Sequence, residues 1–126
     1  MTCRILSIRP SARWWRNSSR YVCALTVMEL EIGVLRVERR DTAQGALLRT
    51  LLESHVLPEF VERTLPVDTS VALCCARLHV PGPHAERDAI IAATAIVHGM
   101  TVVTRNVADF AATSVALMNP WDSGSE

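Results

Sequence analysis

The 126-residue sequence predicts an α/β domain of three layers (α/β/α), with a central parallel sheet covered by helices on both faces. Between residues 21 and 118, short apolar runs typical of buried strands alternate with longer segments whose apolar residues recur at helical spacing. This alternation is typical of parallel sheets packed against helices. A hydrophobic content of 49% is ample to fill the single core expected for a chain of this length.

The first 20 residues differ in composition from the rest of the chain. Residues 1–28 contain five arginines and no acidic residue, whereas residues 29–126 contain eight arginines and thirteen acidic residues, a formal net charge of −5. Cys3–Ile8 is the one short apolar run near the start, so we expect the first strand of the sheet to be degenerate or missing. We divide the chain into an atypical segment (1–20), the domain (21–122) and a disordered tail (123–126).

Three interpretations of the N-terminal segment stay open. An Arg-rich, Ser-rich and acid-free start is typical of organellar transit peptides, and the lack of a long apolar centre excludes a secretory signal. Trp14 and Trp15 among arginines Arg13, Arg16 and Arg20 would alternatively offer a basic, stacking surface for single-stranded RNA. The simplest interpretation is a poorly ordered tail or a displaced reading start.

The domain then begins with a strand and two helices. Tyr21–Val27 is a β-type run, and the spacing of Met28, Ile32 and Leu35 predicts a helix from about Met28. This prediction places Glu29 at a strand-to-helix junction. A second helix is expected over residues 42–55, with a core face formed by Leu47, Leu48, Leu51 and Leu52.

The middle of the chain repeats this order. Leu57–Glu62 predicts a turn or short helix opened by Pro58. Leu65–Val67 predicts a brief strand, and Asp68 is a suitable cap for a helix that continues through Leu78. A last strand is expected over Val115–Met118.

The most informative stretch runs from residue 86 to residue 110. Asp88 is expected at the head of a helix over Ala89–His98, where free N–H groups and the helix dipole favour a carboxylate. Gly99 supplies the stop, Met100–Val103 suits a buried strand, and a polar turn then leads to Asp109.

This order predicts a site at one edge of the sheet. In an open α/β sheet, the carboxyl ends of the strands and the amino ends of the helices share one edge, where ligands bind. Asp88 and Asp109 should therefore lie together there, with Glu29 at a similar junction. Clustered carboxylates are stable when a cation lies between them, and a divalent metal ion is the usual solution. The alternative is that both aspartates only cap helices.

Other classes of function receive little support. The overall formal charge of zero gives no general attraction to nucleic acid or membrane, and no apolar run is long enough to span a bilayer. The four cysteines and four histidines show no zinc spacing. The cysteines suit small core residues of a reduced, cytoplasmic protein.

Three stretches carry a resemblance to a known family. They read TVMELEIGVL at 26–35, RDAIIAATAIVHGMTVVTRNVADF at 87–110 and MNPW at 118–121. They resemble the PIN-domain nucleases, in particular the VapC-like and FitB-like toxins of type II toxin–antitoxin systems. The resemblance implies an endoribonuclease that depends on Mg²⁺ or Mn²⁺ and hydrolyses RNA. It also implies a cognate antitoxin as partner and a homodimer.

The resemblance also assigns roles to residues. Glu29, Asp88 and Asp109 match the family's acidic metal ligands. Thr104 and Asn106 match the polar residues beside the last of these carboxylates, where they would bind it or the attacking water.

One departure from the family pattern concerns the chemistry directly. Such toxins open with a strand that lies centrally in the sheet and ends in a metal-binding aspartate, but no acidic residue precedes Glu29 here. The resemblance therefore leaves an alternative, a catalytically impaired PIN remnant that only binds an antitoxin. The leucine-rich helix at 42–55 is one possible contact for that partner.

Overall fold

The computed structural model describes residues 4–7, 20–80, 82 and 85–119. In chain order, its elements are β1 (Arg4–Ser7), β2 (Arg20–Cys23), α1 (Ala24–Arg40), α2 (Thr42–Leu51), a π-helical turn (Leu52–Val56), α3 (Leu57–Phe60), β3 (Thr64–Leu65), α4 (Thr69–Leu78), α5 (Glu86–Val97), β4 (Thr101–Thr104), a 3₁₀ helix (Val107–Thr113) and β5 (Leu117–Met118).

The five strands form one sheet in the order β3-β2-β1-β4-β5, flanked by helices. The α/β class is therefore confirmed. The sheet is mixed, and not parallel throughout as the sequence predicted. The pairs β2–β3 and β4–β5 are parallel, whereas β1 is antiparallel to both of its neighbours.

The first strand is present, and it lies in the middle of the sheet. Part of the N-terminal segment 1–20 therefore belongs to the sheet. Residues 8–19 separate β1 from β2. That length is near the lower limit for a crossover between parallel strands, whereas antiparallel neighbours need only a short turn. In the resulting register, Arg4 pairs with Thr104 at the end of β4, and Ser7 pairs with Arg20 at the start of β2.

The main core lies between the sheet and helix α5. Leu6 of β1, Val102 of β4, Ile91 of α5 and Phe110 of the 3₁₀ helix are all completely buried within it. A smaller apolar cluster joins α4 to α5. Because β1 contributes Leu6 to the main core, the strand is held by packing as well as by hydrogen bonds.

Helix α1 begins four residues earlier than predicted. Strand pairing ends at Cys23, whose thiol Sγ accepts a hydrogen bond from the backbone N–H of Leu25 at 3.4 Å and so caps the helix. Residues 24–27, which the sequence placed in the strand, are helical. Tertiary packing overrides the weak β preference of Thr26 and Val27 here.

The predicted core face of the helix over residues 42–55 is wrong for two of its four leucines. Leu52 is buried, but Leu47 and Leu51 are 68% and 50% exposed. The α-helix also ends at Leu51 and passes into the π-helical turn. Half of the leucine face therefore points away from the core and lies open on the surface of α2.

Two helix-end predictions are confirmed. Asp68 caps α4, since its Oδ1 accepts a hydrogen bond from the N–H of Val71 at 3.1 Å. Gly99 follows α5 with φ of +67°, a conformation that side chains with a Cβ rarely adopt.

Two further features of the described residues concern their helices and their cysteines. None of their helices is both long and apolar enough to cross a membrane. Cys23, Cys74 and Cys75 are buried free thiols, and burial, with Glu86 and Cys74 nearby, raises the pKa of Cys75. Cys3, His84 and the tail at 123–126 lie outside the described residues.

Candidate functional site

A pocket opens beside the edge of the sheet where β2 and β4 end. Its volume is about 590 Å³, and three elements line it. Strand β1 contributes Arg4, helix α1 contributes one wall, and the start of α5 contributes the other. The lining residues are Arg4, Leu25, Met28, Glu29, Ala85, Glu86, Arg87, Asp88 and Ile90.

Glu29 reaches the pocket from the second turn of α1. It is not at the strand-to-helix junction, because that helix begins at Ala24. Its side chain is 20% exposed and lies on the wall formed by α1. The earlier start of the helix therefore changes the local position of Glu29 without removing it from the predicted edge of the sheet.

Asp88 reaches the same pocket from the first turn of α5. The capping residue of this helix is Ala85, which has no capping side chain, so the capping alternative does not describe Asp88. Glu86 and Asp88 both lie where the positive end of the helix dipole favours acidic groups. The side chain of Asp88 is 14% exposed, and its Oδ1 accepts a hydrogen bond from Arg4 Nη1.

Arg4 brings a positive charge to both carboxylates. Besides its hydrogen bond to Asp88, Nη1 lies 3.6 Å from Oε2 of Glu29. The guanidinium carbon lies 5.5 Å from the centre of the Phe110 ring, within the range of a cation–π contact. The Arg4 side chain is only 11% exposed. The electrostatics of the pocket are therefore those of a largely buried ion-paired cluster.

The three predicted residues that follow β4 lie in a separate hydrogen-bonded turn. Thr104 is completely buried, and its Oγ1 accepts a hydrogen bond from the N–H of Asn106 at 3.1 Å. The carbonyl of Asn106 accepts one from the N–H of Asp109 at 3.1 Å. Asp109 is exposed on the 3₁₀ helix. None of the three is among the described residues that line the pocket.

The structure thus brings together two of the three predicted metal ligands. Glu29 and Asp88 share one pocket, and Asp109 is not part of its lining. Across residues 4–7, 20–80, 82 and 85–119, no three His, Cys, Asp or Glu side chains are grouped so as to hold a metal ion. The cation between the two carboxylates is the guanidinium of Arg4. The arrangement does not fit the predicted Mg²⁺ or Mn²⁺ site.

Sequence reasoning did not identify Arg4 or Phe110 as part of this site. Phe110 follows directly after Asp109 in the stretch that carries the family resemblance, and Arg4 opens the apolar run ahead of Glu29. The sequence offered one signal for Arg4: it is a basic residue in a segment that contains no acidic residue, so its charged partners had to lie elsewhere in the chain. The direction of β1, which puts Arg4 at this edge, could not be deduced from the run itself.

Comparisons of the sequence and of the structure with known proteins find members of one family. A model of the PIN domain matches residues 7–115. The chain is 39% identical over 106 residues to Toxin FitB of Neisseria gonorrhoeae, covering 80% of this chain and 75% of that toxin. It is 33% identical over 107 residues to VapC ribonuclease Y4jK of Sinorhizobium fredii, covering 81% and 75% of the two chains.

Solved structures show the same similarity in three dimensions. The crystal structure of FitAcB from Neisseria gonorrhoeae matches with a TM-score of 0.73 and 38% identity, over 80% of this chain and 75% of that one. The structure of FitAB bound to an IR36 DNA fragment matches with a TM-score of 0.69 and 35% identity, over 81% and 73%.

Proposed function

The chain belongs to the PIN-domain family, and from this membership we propose that it is the toxin of a toxin–antitoxin pair, an endoribonuclease that hydrolyses RNA phosphodiester bonds. One observation supports this function most directly. Glu29 and Asp88 come from helices far apart in the sequence, and they meet in one pocket at the edge where β2 and β4 end. These are two of the positions at which the family resemblance assigns acidic residues.

The pocket supplies part of what such a reaction needs. Glu29 and Asp88 are largely buried carboxylates that can orient a water molecule or accept a proton from it. Exposed Arg87 on the pocket wall can contact a phosphate of the RNA. Mg²⁺ or Mn²⁺ is the cofactor that the family implies. Because the guanidinium of Arg4 occupies the space between the two described carboxylates, the pocket with Arg4 in this position does not fit a metal ion.

The experiment is cleavage of a defined single-stranded RNA transcript by the purified chain across a Mg²⁺ and Mn²⁺ titration. We expect cleavage by the natural chain to be slow, because Arg4 competes with the metal ion that the family implies, and to be lost in Asp88→Asn. Asp68→Asn is the matched control, since it removes a carboxylate at the cap of α4 while Asn remains a good capping residue. Asp109→Asn then tests whether this exposed carboxylate takes part when RNA is bound.

A second candidate function is binding of the antitoxin without catalysis. It is favoured by Arg4, whose guanidinium lies between the two carboxylates. Under this candidate, neither the natural chain nor Arg4→Gln cleaves RNA at any metal concentration, although both are folded by circular dichroism. That result would overturn the ribonuclease proposal and leave the partner-binding one.

The surface proposed for the antitoxin is the exposed side of α2. Leu47 and Leu51 lie one helical turn apart and are both at least half exposed. Exposed leucines on one helix face are typical of a surface that a partner covers. The FitAcB and FitAB structures, in which relatives of this chain are bound to a second protein, support this kind of partner.

The test is co-purification with the product of the adjacent gene. We expect the natural chain to retain that protein and Leu47→Arg to lose it. Leu73→Arg on α4 is the control, since Leu73 is also more than half exposed but lies on another helix.

The family further implies a homodimer in the cytoplasm. Light scattering during gel filtration measures the oligomeric state. If Leu47→Arg becomes monomeric but still binds the antitoxin, the exposed side of α2 is the dimer interface and not the antitoxin surface.

A further inference from the structure

We infer that Arg4 is the built-in counter-ion of the Glu29–Asp88 pair and excludes a divalent cation from the pocket. The inference rests on the proposed function, because it concerns the control of the same site. In this arrangement, the guanidinium occupies the space that a metal ion would need. Removing that guanidinium should create a metal site.

The contacts of Arg4 support this role. One nitrogen, Nη1, serves both carboxylates, through a hydrogen bond to Asp88 and a separation of 3.6 Å from Glu29. Mg²⁺ needs oxygen ligands at roughly 2.0–2.1 Å, so an ion held by both carboxylates would need the space between them that Nη1 occupies. Two positive charges at such short range would also repel strongly in a largely buried site. Arg4 and the metal ion therefore exclude each other.

The position of Arg4 is built into the fold. Its backbone pairs with Thr104 in the centre of the sheet, and its neighbour Leu6 is completely buried. The Phe110 ring lies 5.5 Å from the guanidinium carbon. Arg4 Nε is buried and has no hydrogen-bond partner among the described residues. The ion pairs made by Nη1 therefore offset most of the desolvation cost of burying this charged side chain.

The reversed direction of β1 explains why an arginine occupies this place. The amino end of β1 lies beside the carboxyl end of β4, as the pairing of Arg4 with Thr104 shows. In a fully parallel sheet, the carboxyl end of the central strand would reach this edge. The family's aspartate is expected at that end. Reversal therefore replaces the expected negative charge with a positive one.

The experiment measures Mn²⁺ binding by calorimetry, without RNA and without antitoxin. We expect no saturable binding to the natural chain and one saturable site in Arg4→Gln. Removing a positive charge that lies against both carboxylates removes its repulsion of the bound ion, so the gain in Mn²⁺ affinity should be roughly tenfold or more. The double variant Arg4→Gln/Asp88→Asn should lose the site again.

The matched control is Arg20→Gln. Arg20 lies on the neighbouring strand β2 and forms an ion pair with Glu59 at 3.1 Å, but it does not line the pocket. It should gain no Mn²⁺ site. Equal Mn²⁺ binding by the natural chain and Arg4→Gln would overturn the inference, as would a folded Arg4→Gln variant that gains no binding.

A second measurement keeps the inference testable if Arg4→Gln does not fold. In the presence of EDTA, Asp88→Asn should lower the thermal midpoint, because it leaves the buried guanidinium without its closest charged partner. If the two acids instead repel each other across an open metal site, the same substitution raises the midpoint, and the inference is wrong. Neither measurement uses RNA or a partner, so failure of the proposed function and failure of this inference give different results.

Discussion

Arg4 is the residue that separates this pocket from an ordinary cluster of acids. Its charge compensates Glu29 and Asp88, and its side chain is buried against Phe110. The positive charge of Arg4 stabilises the two largely buried carboxylates in the folded protein. The compensated pair is poorly adapted to attract a metal ion, which needs uncompensated negative charge.

The first prediction concerns activity. Arg4→Gln should raise the rate of metal-dependent RNA cleavage roughly tenfold or more over the natural chain, because the carboxylates lose their competing cation. The measurement is the initial rate on a labelled transcript at one fixed, subsaturating Mg²⁺ concentration. Arg77→Gln should leave the rate unchanged, since Arg77 is exposed on α4 and does not line the pocket. A rate that falls in Arg4→Gln would mean that the guanidinium assists catalysis.

Gly99 is a second residue whose role follows from local geometry. Its φ of +67° closes α5 and turns the chain into β4. Gly99→Ala should lower the free energy of unfolding by about 1–2 kcal/mol, because a Cβ disfavours this conformation. Urea denaturation measures the change. Gly82→Ala is the control, since its Cβ would lie within 4 Å of none of the described residues, and its change should stay near zero.

The α1–α2 hairpin depends on close approach between two helices. A Cβ built on Gly45 would lie 2.5 Å from the Cα of Glu38, so the helices pack through this glycine. Gly45→Ala should lower the free energy of unfolding by about 1–3 kcal/mol, because the helices must separate. The measurement is again urea denaturation. A stabilised variant would show that helix propensity outweighs the contact, since alanine is the better helix former.

Arg49 joins the same two helices by ion pairs. Its guanidinium donates to Glu31 at 2.6 Å and to Glu38 at 3.0 Å. Hydrogen bonds from Arg49 are the main cause of the lowered pKa of both glutamates.

A pH dependence follows from this cluster. A carboxylate with a lowered pKa in the folded state stabilises the protein at neutral pH, and this stabilisation is lost as the pH falls through the folded pKa. The stability advantage of the natural chain over Arg49→Gln should therefore shrink as the pH falls from 7 to about 3. Urea midpoints at several pH values measure it. A difference that stays constant with pH would contradict an electrostatic role for Arg49.

The sheet as a whole depends on its N-terminal strand. β1 pairs with strands on both sides, and Leu6 is completely buried in the main core. Leu6→Ala should lower the free energy of unfolding by about 2–5 kcal/mol through lost burial and an uncollapsed cavity. Thermal or urea unfolding measures this. The control is Val61→Ala, since Val61 is 75% exposed, and a Leu6→Ala change as small as the control would mean that β1 is not a structural strand.

This role of β1 also affects the RNA-binding interpretation of the N-terminus. Deleting residues 1–20 would remove the central strand, so lost RNA binding could result from unfolding. Arg20 is already ion-paired with Glu59, while Arg13, Trp14, Trp15 and Arg16 lie outside the described residues. Substituting the two tryptophans by serine in the full chain is the cleaner test, and unchanged RNA affinity would contradict a stacking surface.

Much of this molecule follows from local patterns in its sequence. The cap at Asp68, the stop at Gly99, the helix around Ile91 and the α/β class are each set by neighbouring residues or by apolar periodicity. The family resemblance also placed Glu29 and Asp88 in one site. These features were predictable because short-range hydrogen bonds and burial of one helix face act within about one to four turns of chain.

The direction of β1 and its consequences depended on contacts between distant parts of the chain. A short apolar run packs equally well in either direction, so Cys3–Ile8 could not reveal that Arg4 would meet Asp88, which lies 84 residues away. The exposure of Leu47 was equally hidden, since periodicity marks an apolar face without showing what covers it. The pairing of Arg4 with Asp88 and the exposure of Leu47 both depend on which strands and helices lie side by side. Only the tertiary structure determines that arrangement.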